Sequence, residues 1–272
     1  MTQVPLEELL RRAVAGDRDA VAALVRQLEP PVHALALRML WRPADAEDAT
    51  QEILIRVVTR LSQFDFQSRL TTWVYRVAAN YLLDVKKSCV EREKLSFDSF
   101  SRDLLDGLAD DGPADAERSL LTEEVKLGCT LAMLQCLDRP HRLAYVLGEI
   151  FDLPAPEAAA ALSLEPAAFR KRLERARDAI ESFTRAHCGL VEPDAACSCH
   201  RRVPRALSLG RVRPEQPLFA EHASSFIEAR QLIRQVEGAQ RVVELHRRAH
   251  PRDASKDVAS VVLAALAAPS QP

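Results

Sequence analysis

Phe64, Phe66, Arg69, Thr72, Trp73, Arg76 and Asn80 carry the side chains with which this sequence could do its most specific work. Loop rings can stack on unpaired bases, guanidinium groups hold phosphates, and an amide can read a base edge. Asp65 and Ser68 complete the SQFDFQS loop. A plainer reading has the phenylalanines filling a local gap and the polar stripe merely wet. Just upstream, Asp45, Asp48, Gln51, Glu52 and Arg56 form a charged outer face suited to a protein partner.

A second constellation is basic. Arg170, Lys171, Arg172, Arg175 and Arg177 put five cations into eight residues, more than solubility asks for. A third holds sulfur: Cys188, Cys197, Cys199 and His200, with His187 beside them, supply enough soft ligands for zinc or monovalent copper. The spacing matches no standard finger. Metal or redox sensing, a structural metal knuckle and unliganded thiols all stay open. Cys129 and Cys136 share an apolar helical face with Val125 and Leu131 and read as small hydrophobes, and Cys89 stands apart.

Helices must position these groups. Ala49, Ile53, Leu54, Val57, Val58 and Leu61 recur at helical spacing behind Asp45, Glu47 and Asp48, carboxylates that favour a helix start. Leu70, Trp73, Val74, Val77, Tyr81, Leu82 and Val85 predict a second helix whose other face carries Arg69, Thr72, Arg76, Asn80 and Lys87. Near Pro156 a short alanine-rich helix begins, Ser163 to Glu165 turn, and Pro166 opens a helix with Phe169, Leu173, Ala176 and Ile180 inward. Helix, tight turn and basic helix is the pattern that sends its second helix into a major groove.

At 272 residues the chain has room for about two domains, and its 47% apolar content suffices for real cores. Scarce glycine and abundant Ala, Leu, Arg and Glu predict an all-α fold. No apolar run is long enough for a membrane span, the N-terminus lacks the apolar centre of a signal peptide, and a cytoplasmic protein with reduced thiols is expected. Residues 96–124 hold nine acidic against two basic residues, with Gly107, Gly112 and Pro113, and read as an acidic flexible linker. There is no phosphate-binding glycine loop, nucleophile elbow or HExxH pair, so an enzyme is not expected.

DAEDATQEILIRVVTRL, FDFQS and LTTWVYRVAANYLLDVKK resemble the promoter-melting domain of extracytoplasmic-function sigma factors, and Phe151 to Phe183 is similar to their minus-thirty-five-binding domain. The resemblance implies core RNA polymerase and promoter DNA as partners, with an anti-sigma factor as a further candidate and no cofactor required. It implies polymerase docking by Asp45, Asp48, Gln51, Glu52 and Arg56. Minus-ten capture would fall to Phe64, Asp65, Phe66, Ser68, Arg69, Thr72, Trp73, Arg76 and Asn80. Upstream contacts would fall to Arg170, Lys171 and Arg175 in the groove, and to Arg172 and Arg177 on phosphates. Ser163 stands where a glycine is usual in that family.

The expected organisation is a region-2-like domain over 1–95, the linker over 96–124, a region-4-like domain over 125–186, and a Cys/His cluster with helical extension over 187–272. Some sigma factors of this group sense metals through cysteine-rich extensions, and this segment looks similar. Apolar faces in Ser225–Arg248 and Val258–Leu266 would pack on the DNA-reading domains or a partner and regulate in cis. A free-standing helix-turn-helix regulator and a thiol-based metal-binding protein or enzyme are the competing readings.

Overall fold

The computed structural model describes residues 5–85, 95–109, 116–214 and 258–267, leaving the side chains of 116–120 and 266–267 aside. Lys87, Cys89 and Ser225–Arg248 lie outside the described residues. Every regular element among them is helical, as the composition predicts. The chain divides into two compact units: Met1–Lys86 with Pro154–Phe169 and Asp253–Pro272, and Lys87–Leu153 with Arg170–Arg252.

In the first unit, α1 (Leu6–Val14), α2 (Arg18–Leu40), α3 (Pro43–Thr59) and α4 (Leu70–Asp84) form a bundle. Asp17 caps α2 by accepting from the Asp19 and Ala20 amides. The core is aliphatic: Leu24, Leu35, Ile53, Leu54, Val57, Val74 and Leu82 are buried, following the predicted stripes of α3 and α4. Two later pieces join this unit. The short helix α8 (Ala155–Ala161) packs on α4, and α11 (Val258–Ala267) packs on α2 and α3 with Val258, Ala259 and Val262 buried.

The second unit holds α5 (Phe97–Leu105), α6 (Ala116–Gln135), α7 (Arg139–Tyr145) running into a π-helical turn at Val146–Ile150, Arg170–His187 of α9 (Pro166–His187), and α10 (Cys199–Ser208). Arg142 is buried and donates to the carbonyls of Leu134 (2.8 Å) and Leu137 (2.9 Å), closing the end of α6.

Within the stretch expected to be a flexible acidic linker, the described residues 96–109 and 116–124 hold helix α5 and the first part of α6. Ser96 and Ser99 form a capping box that starts α5. Phe100 stacks on Phe183 at 5.4 Å, and Phe97 meets the same ring at 5.1 Å. Asp103 accepts from Arg211 and Arg202, and Asp106 pairs with Arg205. Asp103 and Asp106, which read as solvating, are counter-ions for arginines that follow the cysteines.

Candidate nucleic-acid interface

After α3 the chain makes one 3-10 turn, Leu61–Gln63, and enters the aromatic loop. The two phenylalanines divide the readings offered by the sequence. Phe64 is 6% exposed, with Phe66 edge-on at 5.0 Å and Trp73 at 5.7 Å. Phe66 is 55% exposed and sits at φ 58°, a left-handed conformation uncommon for a bulky residue. The Asp65 carboxylate accepts from the Gln67 amide at 3.1 Å and braces the turn. Phe64 is therefore an anchor, and Phe66 is the ring held out to solvent.

On α4, Asn80 is exposed, while Trp73 and Arg76 are half-buried. Thr72, expected on the polar stripe, is only 3% exposed, because its position faces the bundle rather than water. Arg69 and Arg76 already have protein partners on α8: the Arg69 guanidinium lies 3.3 Å from Glu157, and Arg76 donates to the Ala160 carbonyl at 3.0 Å. Sequence patterns gave no sign of these contacts, which span more than eighty residues.

Asp48 is exposed on α3, and Asp45, Gln51, Glu52 and Arg56 are half-buried. Glu52 and Arg56 pair at 2.7 Å one turn apart, and the Arg56 guanidinium lies 4.7 Å over the Tyr81 ring. These contacts hold part of this charged face in place.

The turn between α8 and α9 closes through backbone bonds, the Leu164 amide donating to Ala159 at 2.9 Å. Ser163 takes φ 54°, the left-handed value for which glycine is the usual choice. On α9, Arg170, Lys171 and Arg175 are exposed, and Arg172 is half-buried. Arg177 is tied to the Glu149 carboxylate of the π turn, which raises its pKa through that hydrogen bond. The three groove candidates and the two phosphate candidates thus differ in freedom.

The thiols gather near the end of α9. Cys188 and Cys197 form an isolated parallel bridge, and the Gly189 amide donates to the Cys197 carbonyl at 2.9 Å. Cys197 is buried, and Cys129, Cys188 and Cys199 are half-buried. Burial first, and the neighbouring sulfurs next, push Cys129 and Cys199 well above the usual thiol range and Cys197 up to about 11. His200 follows on the first turn of α10, half-buried, and the His187 ring rests on Phe183 at 5.0 Å. Among the described residues, no three His, Cys, Asp or Glu side chains already stand as a metal-holding group.

Residues 24–88 match the family model for Sigma-70 region 2. The RNA polymerase sigma factor NccH of Alcaligenes xylosoxydans xylosoxydans is 30% identical over 173 residues, 63% of this chain and 90% of NccH. The ECF RNA polymerase sigma factor SigW of Bacillus subtilis is 27% identical over 195 residues, 67% of this chain and 98% of SigW. The ECF RNA polymerase sigma-E factor of Escherichia coli K12 is 28% identical over 191 residues, 66% of this chain and 94% of its own length. A solved structure of CnrH in complex with the cytosolic domain of CnrY has a TM-score of 0.45 at 23% identity, covering 64% of this chain and 94% of CnrH, too loose a likeness to place any residue.

A helical chain with an aromatic loop beside a basic, amide-bearing helix, followed by a helix-turn-helix, falls in the class of transcription-initiation factors. The chain belongs to the extracytoplasmic-function sigma factors of RNA polymerase. It is accordingly a non-enzymatic subunit that joins core polymerase to promoter DNA. Among the described residues no helix is long and apolar enough to cross a membrane.

Proposed function

We propose that this sigma factor opens promoters with the Phe66 loop and the α4 face, reads the upstream element with α9, and carries a metal-responsive extension in residues 187–272. The observation that carries the reading is the division of labour in the loop. Phe64 anchors, Phe66 is displayed, and Arg69, Arg76 and Asn80 follow on one side of α4. A base leaving the duplex needs a stacking face with charge beside it, and that is what this loop offers. Asp48, with Asp45, Gln51, Glu52 and Arg56, supports docking on the polymerase. The domain limits at 95, 124 and 186 belong to the same reading, with α5 holding the arginines of the second unit through Asp103 and Asp106. The cytoplasm is the compartment where such a subunit meets polymerase, and an anti-sigma factor is a further partner.

In the conformation described, Arg69 and Arg76 bond to α8, so a melted strand competes with α8 for these two guanidinium groups. For the extension, Cys188, Cys197, Cys199 and His200 supply the soft ligands that a metal ion such as zinc or monovalent copper takes.

Reconstitution with core polymerase tests the proposal. Asp48→Arg is expected to weaken core binding with the fold intact. Asn80→Ala should slow open-complex formation on duplex promoters and recover on premelted templates. Arg170→Ala should cost about 1–3 kcal/mol at the upstream element. If all three variants transcribe like the parent, these faces are wrongly assigned, although family membership would stand.

A further inference from the structure

Residues 195–214 contain five arginines, Arg201, Arg202, Arg205, Arg211 and Arg213, and no acidic residue. α9 is less one-sided, because Glu174, Asp178 and Glu181 stand among its cations. In the second unit this arginine run is met by the end of α5 and the residues just after it. The Asp103 carboxylate takes the Arg211 fork on both oxygens, at 2.6 and 2.9 Å, and accepts from Arg202 at 3.1 Å. Asp106 pairs with Arg205, and its carbonyl accepts from Arg202 at 2.7 Å. Ala109 exchanges two bonds with Arg201: its amide donates to that residue's carbonyl at 3.1 Å, and its carbonyl accepts from the guanidinium at 2.8 Å. Gly107 turns at φ 64° and passes so close to Arg205 that a Cβ would stand 2.9 Å from its Cδ.

The arginines differ in how firmly they are held. Arg202 is buried, and its bonds to a carbonyl and a carboxylate belong to the packing. The Arg205 and Arg211 side chains are 35% and 47% exposed where they meet their aspartates. Ion pairs so open to water are weak and are screened by salt, so another anion can replace the carboxylates. The Arg211 fork on two oxygens of one group is a geometry that serves phosphate as well as carboxylate. Arg213 is exposed two residues further on. The polyanion beside which a sigma subunit works is promoter DNA, whose phosphates release condensed counter-ions when arginines neutralise them.

We infer that Arg205, Arg211 and Arg213 form a further DNA contact, one that grips the phosphate backbone without reading bases and that α5 covers through Asp103 and Asp106. The two carboxylates stand where phosphates would stand, so cover and grip are alternatives at the same guanidinium groups. While the cover is in place, the subunit's non-specific hold on duplex DNA is reduced. When DNA wins, Arg202 stays in the packing and keeps α10 in position. The contact depends neither on the role proposed for α9 nor on any ligand of the thiols.

The test measures binding of the full-length protein to a labelled duplex without promoter sequence, by fluorescence anisotropy over a range of salt. Each added phosphate contact steepens the fall of log affinity with log salt by about 0.9. Asp103→Asn combined with Asp106→Asn frees two guanidinium groups, so it should bind more tightly at low salt with a slope steeper by about 1.8. Adding Arg205→Gln and Arg211→Gln to that protein should abolish the gain in affinity and slope. Arg170→Ala in either background should leave the difference between covered and uncovered proteins unchanged, which separates this contact from the α9 role. An unchanged slope in the aspartate variant would overturn the inference. So would a gain that survives the arginine changes, since lost negative charge alone would then explain it. Should the aspartate variant fail to fold, the unmutated protein decides the question: duplex at low salt should protect Arg205 and Arg211 from phenylglyoxal. Equal modification with and without duplex, or equal protection by polyglutamate, would overturn a DNA contact here.

Discussion

Phe64 and Phe66 are two residues apart and chemically identical, yet they face opposite demands. Phe64 closes the gap between the loop and Trp73, so Phe64→Ala leaves a cavity and should lower stability by about 3 kcal/mol. Phe66 is mostly in water, and its truncation should barely move the melting temperature. The expected loss for Phe66→Ala is in promoter opening, with recovery on a premelted template. Thermal melts and open-complex kinetics on the two variants separate the roles, and a Phe66→Ala variant that opens duplex promoters normally would remove the stacking role. Spacing singled out both rings. Only burial by Trp73 distinguishes them, a contact set by how α4 leaves the loop.

At the scale of elements, α8 on α4 and α5 on α10 are the contacts to test. The Arg69 side chain is 74% exposed where it meets Glu157, so that pair contributes less than about 1 kcal/mol. Glu157→Gln should therefore raise affinity for single-stranded or fork DNA by no more than about fivefold, measured by fluorescence anisotropy of a labelled strand. A drop in affinity would mean that α8 supports the α4 face instead of covering it.

Between α5 and α10 the control is pH. Burial pushes the Asp103 carboxyl up, but the Arg211 hydrogen bond and the charges of Arg211, Arg202 and Arg205 together hold it below the usual carboxylate range. A depressed carboxylate stabilises the fold fully above its unfolded pKa of about 4, and that stability is lost as pH falls through the lower folded value. Melting temperature should be steady down to about pH 5 and fall below about pH 4, with a shallower fall in Asp103→Asn.

For the whole molecule, the extension is not an appendage that can be cut anywhere. A chain ending at Arg205 loses Ala206 and Val212 from the α6–α10 seam and the Arg211 pair with Asp103, and should be destabilised by at least about 2 kcal/mol. A chain ending at Pro214 keeps all of these and loses only α11 among the described elements. That second truncation uncovers the part of α2 and α3 where α11 packs. If α11 regulates in cis, this truncation should change core-polymerase binding at unchanged melting temperature of the second unit. Equal binding by both proteins would end that role.

Helical class, the stripes of α3 and α4, the proline starts of α8 and α9 and the basic face of α9 were all legible in the order of residues. They depend on neighbours three or four positions away, which a sequence displays directly. The left-handed turn at Ser163 belongs with them, a local demand that the residue type only half meets. What folding alone decided was remote: the burial of Thr72, the hold of α8 on Arg69 and Arg76, and the use of Asp103 and Asp106 as counter-ions for arginines beyond the cysteines. Packing brings such groups together by chain reversals that leave no periodic trace, so charge and thiol content announce chemistry without naming the partners.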